Sequence, residues 1–186
     1  MKFVSRIYFP NSSNGSPVYL GNQLDTISDL FFMTNDLIGF PSLNLPVADL
    51  RLRKQEQRTQ IYDAFRKRWV VLTPEEWVRQ HFLHYLVFHL KFPANLIAVE
   101  KSLTLNSLSK RADIVVFDRK LQPWMLVECK KVEVKLDQSV FDQAARYNLV
   151  MKVPYLLITN GMQLLAAEIK NGQVDFIQDL PDFPML

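Results

Sequence analysis

Apolar positions along the chain keep two different periods. Within "TPEEWVRQHFLHYLVFHLKF", Trp77, Val78, Phe82, Tyr85, Leu86 and His89 recur at helical spacing, which predicts a helix within 70–92. Thr73 suits the N-cap and Pro74 the first helical position, and Glu76 stands three residues after Thr73, the spacing of a capping box. The stretches "NLIAVEKSL" (95–103), "RADIVVFD" (111–118) and "PWMLVECKK" (123–131) then read as strands. Helical spacing returns in "LDQSVFDQAARYNLVMKV" (136–153). Two further strands, "PYLLITNG" (154–161) and "MQLLAAEI" (162–169), meet at an Asn160-Gly161 turn signal, and "GQVDFIQDL" is one more candidate. This order predicts an α/β (α+β) domain, with a mixed central sheet flanked by helices.

The first 50 residues are less regular and are set apart as an N-terminal extension, 1–50, before a domain at 51–186 with its core at about 60–170. "NSSNGSP" (11–17) is a turn cluster, "TISDLFFMTNDLIGF" has the density of a short helix, and "PSLNLPVADL" reads as extended. "RLRKQEQRTQIYDAFRKR" (51–68) carries seven Lys and Arg against Glu56 and Asp63. It is either a solvated linker with an edge hairpin or a basic face for phosphates, with Arg51, Arg53 and Lys54 as candidate contacts.

Composition narrows the class. A chain of 186 residues that is 48% hydrophobic can bury one substantial core. Its single cysteine allows no internal disulfide, so a reducing compartment, the cytoplasm, is expected. The start, "MKFVSRIYFPNSS", lacks the features of a signal peptide, and no apolar run approaches the ~20 residues of a membrane span. The net charge of +3 says little by itself. His81, His84 and His89 do not converge as metal ligands and read as core or surface histidines.

The chemistry concentrates in "MLVECKK". On a strand Glu128 and Lys130 share a face, whereas Cys129 points away with Val127 and Met125 and reads as a small core residue. Glu-x-Lys recurs as Glu133/Lys135 and Glu168/Lys170, so the triplet is weak alone. Its neighbour is what singles it out. If Asp118 pairs with Pro123 in an antiparallel hairpin, Asp113 falls directly opposite Glu128, with Cβ atoms roughly 5 Å apart. Two carboxylates so placed repel, and a hard divalent cation, Mg²⁺ or Mn²⁺, relieves the conflict. Lys130 would stand beside them, suited to stabilise developing negative charge or to help deprotonate a water.

Asp113 followed after fourteen residues by Glu128-x-Lys130 resembles the signature of the PD-(D/E)xK nucleases, with Ala112 where the family often has proline. "FDQAARYN" resembles the Gln-x-x-x-Tyr motif of RecB-like and type I restriction nucleases. The set "TPEEWVRQ", "KRADIVVFD", "LVECKK", "FDQAARYN" and "LLITNG" is similar to the N-terminal nuclease domain of type I restriction enzyme R subunits, over about residues 60–170. The resemblance implies a restriction-endonuclease-like sheet and a metal-dependent, restriction-related DNA endonuclease. It implies that a glutamate of the first helix, Glu76 or Glu75, joins the metal ligands, with Glu100 a weaker candidate, and that Gln143 and Tyr147 lie near the metal and position DNA. Arg79, Arg111 and Arg146 are candidates either to meet phosphates or to balance the acids. No Gly-x-x-x-x-Gly-Lys-Ser/Thr phosphate loop is present, so DNA, a targeting or motor subunit on another chain, and a second copy of this chain are the partners to consider. The alternative is a nucleic-acid-binding or assembly protein that keeps the fold without turnover.

Overall fold

The computed structural model describes residues 39–105 and 108–184. The turn cluster at 11–17 and all but Gly39 and Phe40 of the helix expected over 26–40 lie outside them. Among the described residues, nine strands form two sheets. The first is a three-stranded antiparallel sheet of β1 (Leu52–Gln55), β2 (Arg58–Asp63) and β3 (Arg68–Val71). The basic segment is therefore folded rather than a linker. Leu52, Ile61 and Val70 share one face of it and pack with Trp77, while the alternate positions face outward.

Helix α1 (Pro74–His84) follows at once. Thr73 is its N-cap, its hydroxyl accepting the Glu76 N–H at 3.1 Å. The apolar pattern continues past His84, yet the α-helix stops there and Tyr85–His89 widen into a π turn. The histidines lie as the pattern suggests, with His81 buried and its Nδ1 2.8 Å from the Trp77 carbonyl.

The larger sheet has the order β4-β5-β6-β7-β8-β9, with every pair antiparallel except β6 and β7. Its strands are β4 (Ile97–Leu105), β5 (Leu108–Phe117), β6 (Pro123–Cys129), β7 (Tyr155–Thr159), β8 (Leu164–Lys170) and β9 (Gln173–Phe176). Helix α2 (Gln138–Met151) makes the crossover between the two parallel strands, capped by Asp137. The strand alternation sorts the core into two layers. Ile114, Val116, Met125, Val127, Cys129 and Leu157 pack with Val78, Phe82 and Leu86 of the α1 side. Val115, Leu126, Leu156 and Ile158 pack with Phe141 and Ala144 of α2. The fold is thus the expected mixed α+β arrangement, a central sheet with a helix over each face.

Residues 40–50, which the sequence groups with the extension, run without regular structure across this domain. Phe40 stacks on Trp77 at 5.6 Å, Pro41 accepts the Trp77 indole N–H at 3.0 Å, and Ala48 is buried. The Asn44 N–H bonds the Gly161 carbonyl at 2.8 Å. Gly161 has φ +81° in the β7–β8 turn, and a Cβ there would stand 2.8 Å from Leu43, so both the turn and the crossing segment call for glycine.

Candidate active site

The candidate centre forms where β4, β5 and β6 pass the start of α1. The β5–β6 hairpin pairs Ile114 with Val127, Val115 with Leu126 and Val116 with Met125. Asp113 is tied to β6 through the Cys129 N–H, and the ladder ends at Ile114 and Val127, one position short of Asp113 and Glu128. The pivot expected for it is different, however. Pro123 pairs with Phe117, not Asp118, and a β-bulge between Val116 and Phe117 restores the alignment. Asp118 closes the turn instead, its Oδ1 accepting the N–H groups of Lys120 and Gln122, each at 2.8 Å.

The ladder gives way at Asp113. Val99 pairs with Ile114 and Lys101 with Ala112, but Glu100, between them, has φ +51° and is skipped. Ala112 packs in the α2 layer and Ile114 in the α1 layer, so the strand does not alternate regularly across Asp113. Three acids, Glu100, Asp113 and Glu128, therefore stand at one rung of adjacent strands, where like charges disfavour pairing. The irregular backbone leaves hydrogen-bonding groups for side chains, and Asp113 Oδ2 accepts the Cys129 N–H at 2.7 Å.

Two arginines neutralise most of this charge. Arg66 reaches Asp63 through Nε at 2.5 Å, Glu100 through Nη1 at 2.5 Å, and Glu76 through Nη2. Arg79 bonds Glu76 at 2.5 Å and Asp113 Oδ1 at 2.6 Å, with Glu100 at 3.5 Å. Gln80 donates to both Asp63 and Glu76 at 2.8 Å, and Asp63 is fully buried. Burial opposes the charge on both arginines, but the carboxylates around them outweigh it and hold the guanidinium groups more firmly protonated than usual.

Glu128 is placed differently. Lys130 Nζ lies 2.8 Å from its Oε1, and side-chain exposures of 13% for Glu128 and 21% for Lys130 put the pair at a partly open edge. Burial and then the Asp113 charge raise the Glu128 carboxyl above its ordinary range, with Lys130 and Arg79 opposing. Five carboxylates, of Asp63, Glu76, Glu100, Asp113 and Glu128, thus face the inner cations of Arg66, Arg79 and Lys130, with the mostly exposed Arg68 and Arg111 at the rim near Glu100. The cations balance the acids only when the mostly exposed Arg68 and Arg111 are counted, and both of these lie at Glu100 rather than at Asp113 or Glu128. No group of three or more His, Cys, Asp or Glu among the described residues forms a ready cage, so water would have to complete the shell of a divalent cation beside Asp113 and Glu128.

Several candidates take other roles. Glu76, expected as a metal ligand, turns both carboxylate oxygens to Arg66, Arg79 and Gln80. It does not use them to close the capping box on Thr73 either, and Glu75 is outside this network. Glu100, ranked lower by sequence, lies inside it. Arg79 balances acids and is buried, whereas Arg111 is 62% exposed and 3.2 Å from Glu100. Gln143 and Arg146 are exposed on α2, and the Tyr147 side chain lies outside what the structure describes. The Cys129 thiol is fully buried and pushed well above its usual pKa by burial and then by Asp113, which leaves it unreactive. The other triplets are a strand-face ion pair, Glu168 with Lys170 at 2.9 Å, and the exposed Glu133 and Lys135.

Asp63 and Arg66 were missed by sequence reading. Asp-Ala-Phe-Arg looks like a solvated turn, and nothing local says that it will meet Glu76 and Glu100.

Residues 74–184 match the model of the type I restriction enzyme R protein N terminus (HSDR_N), more than half of the chain. The chain belongs to this family. The match takes in Glu76, Glu100, Asp113, Glu128 and Lys130 and begins after the three-stranded sheet, so this HSDR_N domain receives Asp63 and Arg66 from outside the matched region. A fragment assigned as an HsdR subunit of a type I restriction enzyme from Vibrio vulnificus YJ016 is similar at 22% identity, over 47% of this chain and 17% of that one. Its TM-score of 0.34 is too low to bear on the fold. This chain thus spans under a fifth of that structure's length. No curated protein matches it. Among the described residues, no helix is long and apolar enough to cross a membrane.

Proposed function

We propose that this HSDR_N domain is a PD-(D/E)xK nuclease, a Mg²⁺- or Mn²⁺-dependent endodeoxyribonuclease that serves restriction. The observation that carries the reading is Asp113, bonded to the Cys129 N–H, close enough to Glu128 to add to burial in raising its carboxyl above the ordinary range, with Lys130 on Glu128 at a partly open edge. Asp113 and Glu128 would hold the cation. When bound, such an ion supplies charge neutralisation at the scissile phosphate and makes a water more acidic. Lys130, at the open edge, stabilises negative charge as the phosphodiester is attacked. Arg66 and Arg79 act as positioning residues, because they hold Glu76, Glu100 and Asp113 in one cluster that would otherwise repel itself apart. Glu76 supports Asp113 through Arg79. Gln143, Tyr147 and Arg146 are assigned to contacts with the DNA backbone, and a motor or targeting subunit on another chain would deliver the substrate. The test is cleavage of plasmid and single-stranded DNA with Mg²⁺ or Mn²⁺, with Asp113→Asn as the inactive control. Metal-dependent cutting that this variant lacks is the expected result. A folded protein that cuts no DNA form with either ion overturns the reading.

One observation favours the second reading, a nucleic-acid-binding protein without turnover. Both Asp113 oxygens are already bonded, one to Arg79 and one to the Cys129 N–H, and a cation must compete with the first. Calorimetry with Mn²⁺ separates the two, since a purely structural Asp113 binds no ion.

A further inference from the structure

The outward face of the three-stranded sheet carries a feature that the acidic centre does not use. Arg51 lies over the Tyr62 ring, with Cζ 4.0 Å from its centroid, and Arg53 lies over Trp69 at 4.4 Å. The two rings meet edge to face at 5.4 Å. The register accounts for this, since Tyr62 pairs with Trp69 and Arg53 with Gln60 across adjacent strands, which puts Arg51, Arg53, Tyr62 and Trp69 on the face opposite Leu52, Ile61 and Val70. Of the exposed bases of 51–71, Arg51, Arg53 and Arg58 stand on this face, Lys67 lies in the β2–β3 turn, and Lys54 and Arg68 alternate to the other face; the single exposed acid is Glu56, because Asp63 and Arg66 are turned into the centre. Arg68, which pairs with Asp63 on the other face of the same sheet, lies 3.8 Å from Glu100, so this sheet borders the cluster.

We infer that this sheet face is a platform for an unpaired nucleic acid strand, which it leads towards Asp113 and Glu128. This rests on the nuclease reading for its purpose but not for its binding. Charge selects a polyanion, and two aromatic rings on an open sheet select the unpaired form, because bases inside a duplex have no free faces to stack. The arginines hold the places that bases would take: a guanidinium over a ring in the free protein can swing to a phosphate when a base stacks there. The platform lies outside residues 74–184, so it is a property of this chain beyond the family match.

The experiment measures anisotropy of a labelled oligo-dT and of a duplex of equal length, in EDTA so that no cutting occurs. Trp69→Ala and Tyr62→Ala should each weaken the single strand by about tenfold, at the scale of one lost stacking contact, and leave the duplex nearly unchanged. Trp69→Phe, which keeps a ring, should restore most of the loss. Arg51→Ala with Arg58→Ala should flatten the salt dependence of binding by about one unit of log–log slope per lost phosphate contact. Equal binding by wild type and both aromatic variants overturns the platform, and so does equal weakening on strand and duplex, which would leave only a backbone contact. Shielding of Trp69 from acrylamide in the free protein also overturns it, by showing that residues 1–38 or a second copy covers the face. Strand binding by a wild type that cuts no DNA form with Mg²⁺ or Mn²⁺ would instead remove the nuclease reading and leave the platform standing.

Discussion

The acids of the centre are held in two opposite ways. On the α1 side, Asp63 and Glu76 are buried and both oxygens of each accept bonds from Arg66, Arg79, Gln80 or the backbone. On the β6 side, Glu128 meets another carboxylate, has one lysine, and sits where its proton is held more tightly than usual. Breaking a buried, fully bonded pair is expensive, because a charge is left without a partner. An acid at a partly open edge can instead exchange its counter-charge. Structure and chemistry are therefore assigned to different ends of one cluster, and Asp113 joins them, with Arg79 on one oxygen and the β6 backbone on the other.

This contrast can be broken most sharply at Asp113. Asp113→Asn should abolish detectable Mn²⁺ binding in calorimetry and lower cleavage by about 10³-fold or more, the loss of a metal's several kcal/mol of charge stabilisation. Unchanged metal affinity would put the ion elsewhere. Arg79→Ala addresses the other end. It leaves Glu76 and Asp113 without their shared cation and should cost about 3–5 kcal/mol in urea unfolding, the scale for removing one partner of a buried pair. Mn²⁺ should recover part of that loss. If the variant melts like wild type, the arginine network is not what holds the centre.

Lys130→Ala should keep the fold and metal binding but slow cleavage by about 10²-fold. Lys131→Ala is the adjacent control, and Lys135→Ala and Lys170→Ala should also leave the rate unchanged. Equal rates for all four would make Lys130 a strand-edge charge only.

The smallest effect concerns pH. The folded chain holds the Glu128 proton above the ordinary carboxylate range. Without metal, the contribution of Glu128 to stability should therefore be fully present below that range and should decline as pH rises through the raised pKa. A cation needs the ionised form, so Mn²⁺ affinity should move the other way and fall as pH drops through the same window. Glu128→Gln should flatten the first trend, checked by thermal melting across that window. A metal affinity independent of pH there would place Glu128 outside the ligand set.

Local patterns carried much of this into the sequence. The Thr73 cap, the period of α1 and α2, the β5–β6 hairpin and the Asn160-Gly161 turn are made by neighbours within a few positions, where spacing and turn chemistry are visible. Strand alternation also placed Cys129 in the core and Glu128 with Lys130. The register of Ile114 with Val127 was reached through a pivot one residue off, and the β-bulge at Val116/Phe117 compensated. No residue type near Trp124 announces an extra position.

What sequence by itself determined is the set of elements from α1 onward and the short-range geometry of the Glu128 and Lys130 edge. What only the tertiary structure decided is which charges pair. Arg66 meets Glu100 across 34 residues of chain, as Arg79 meets Asp113, and Pro41 caps the Trp77 indole across 36. Charge pairing has no period, and an arginine has the same local signature whether it faces solvent or three carboxylates. Only packing, by removing water from one side and bringing distant acids to one rung of the sheet, makes the difference between a surface base and the inner counter-ion of a candidate active site.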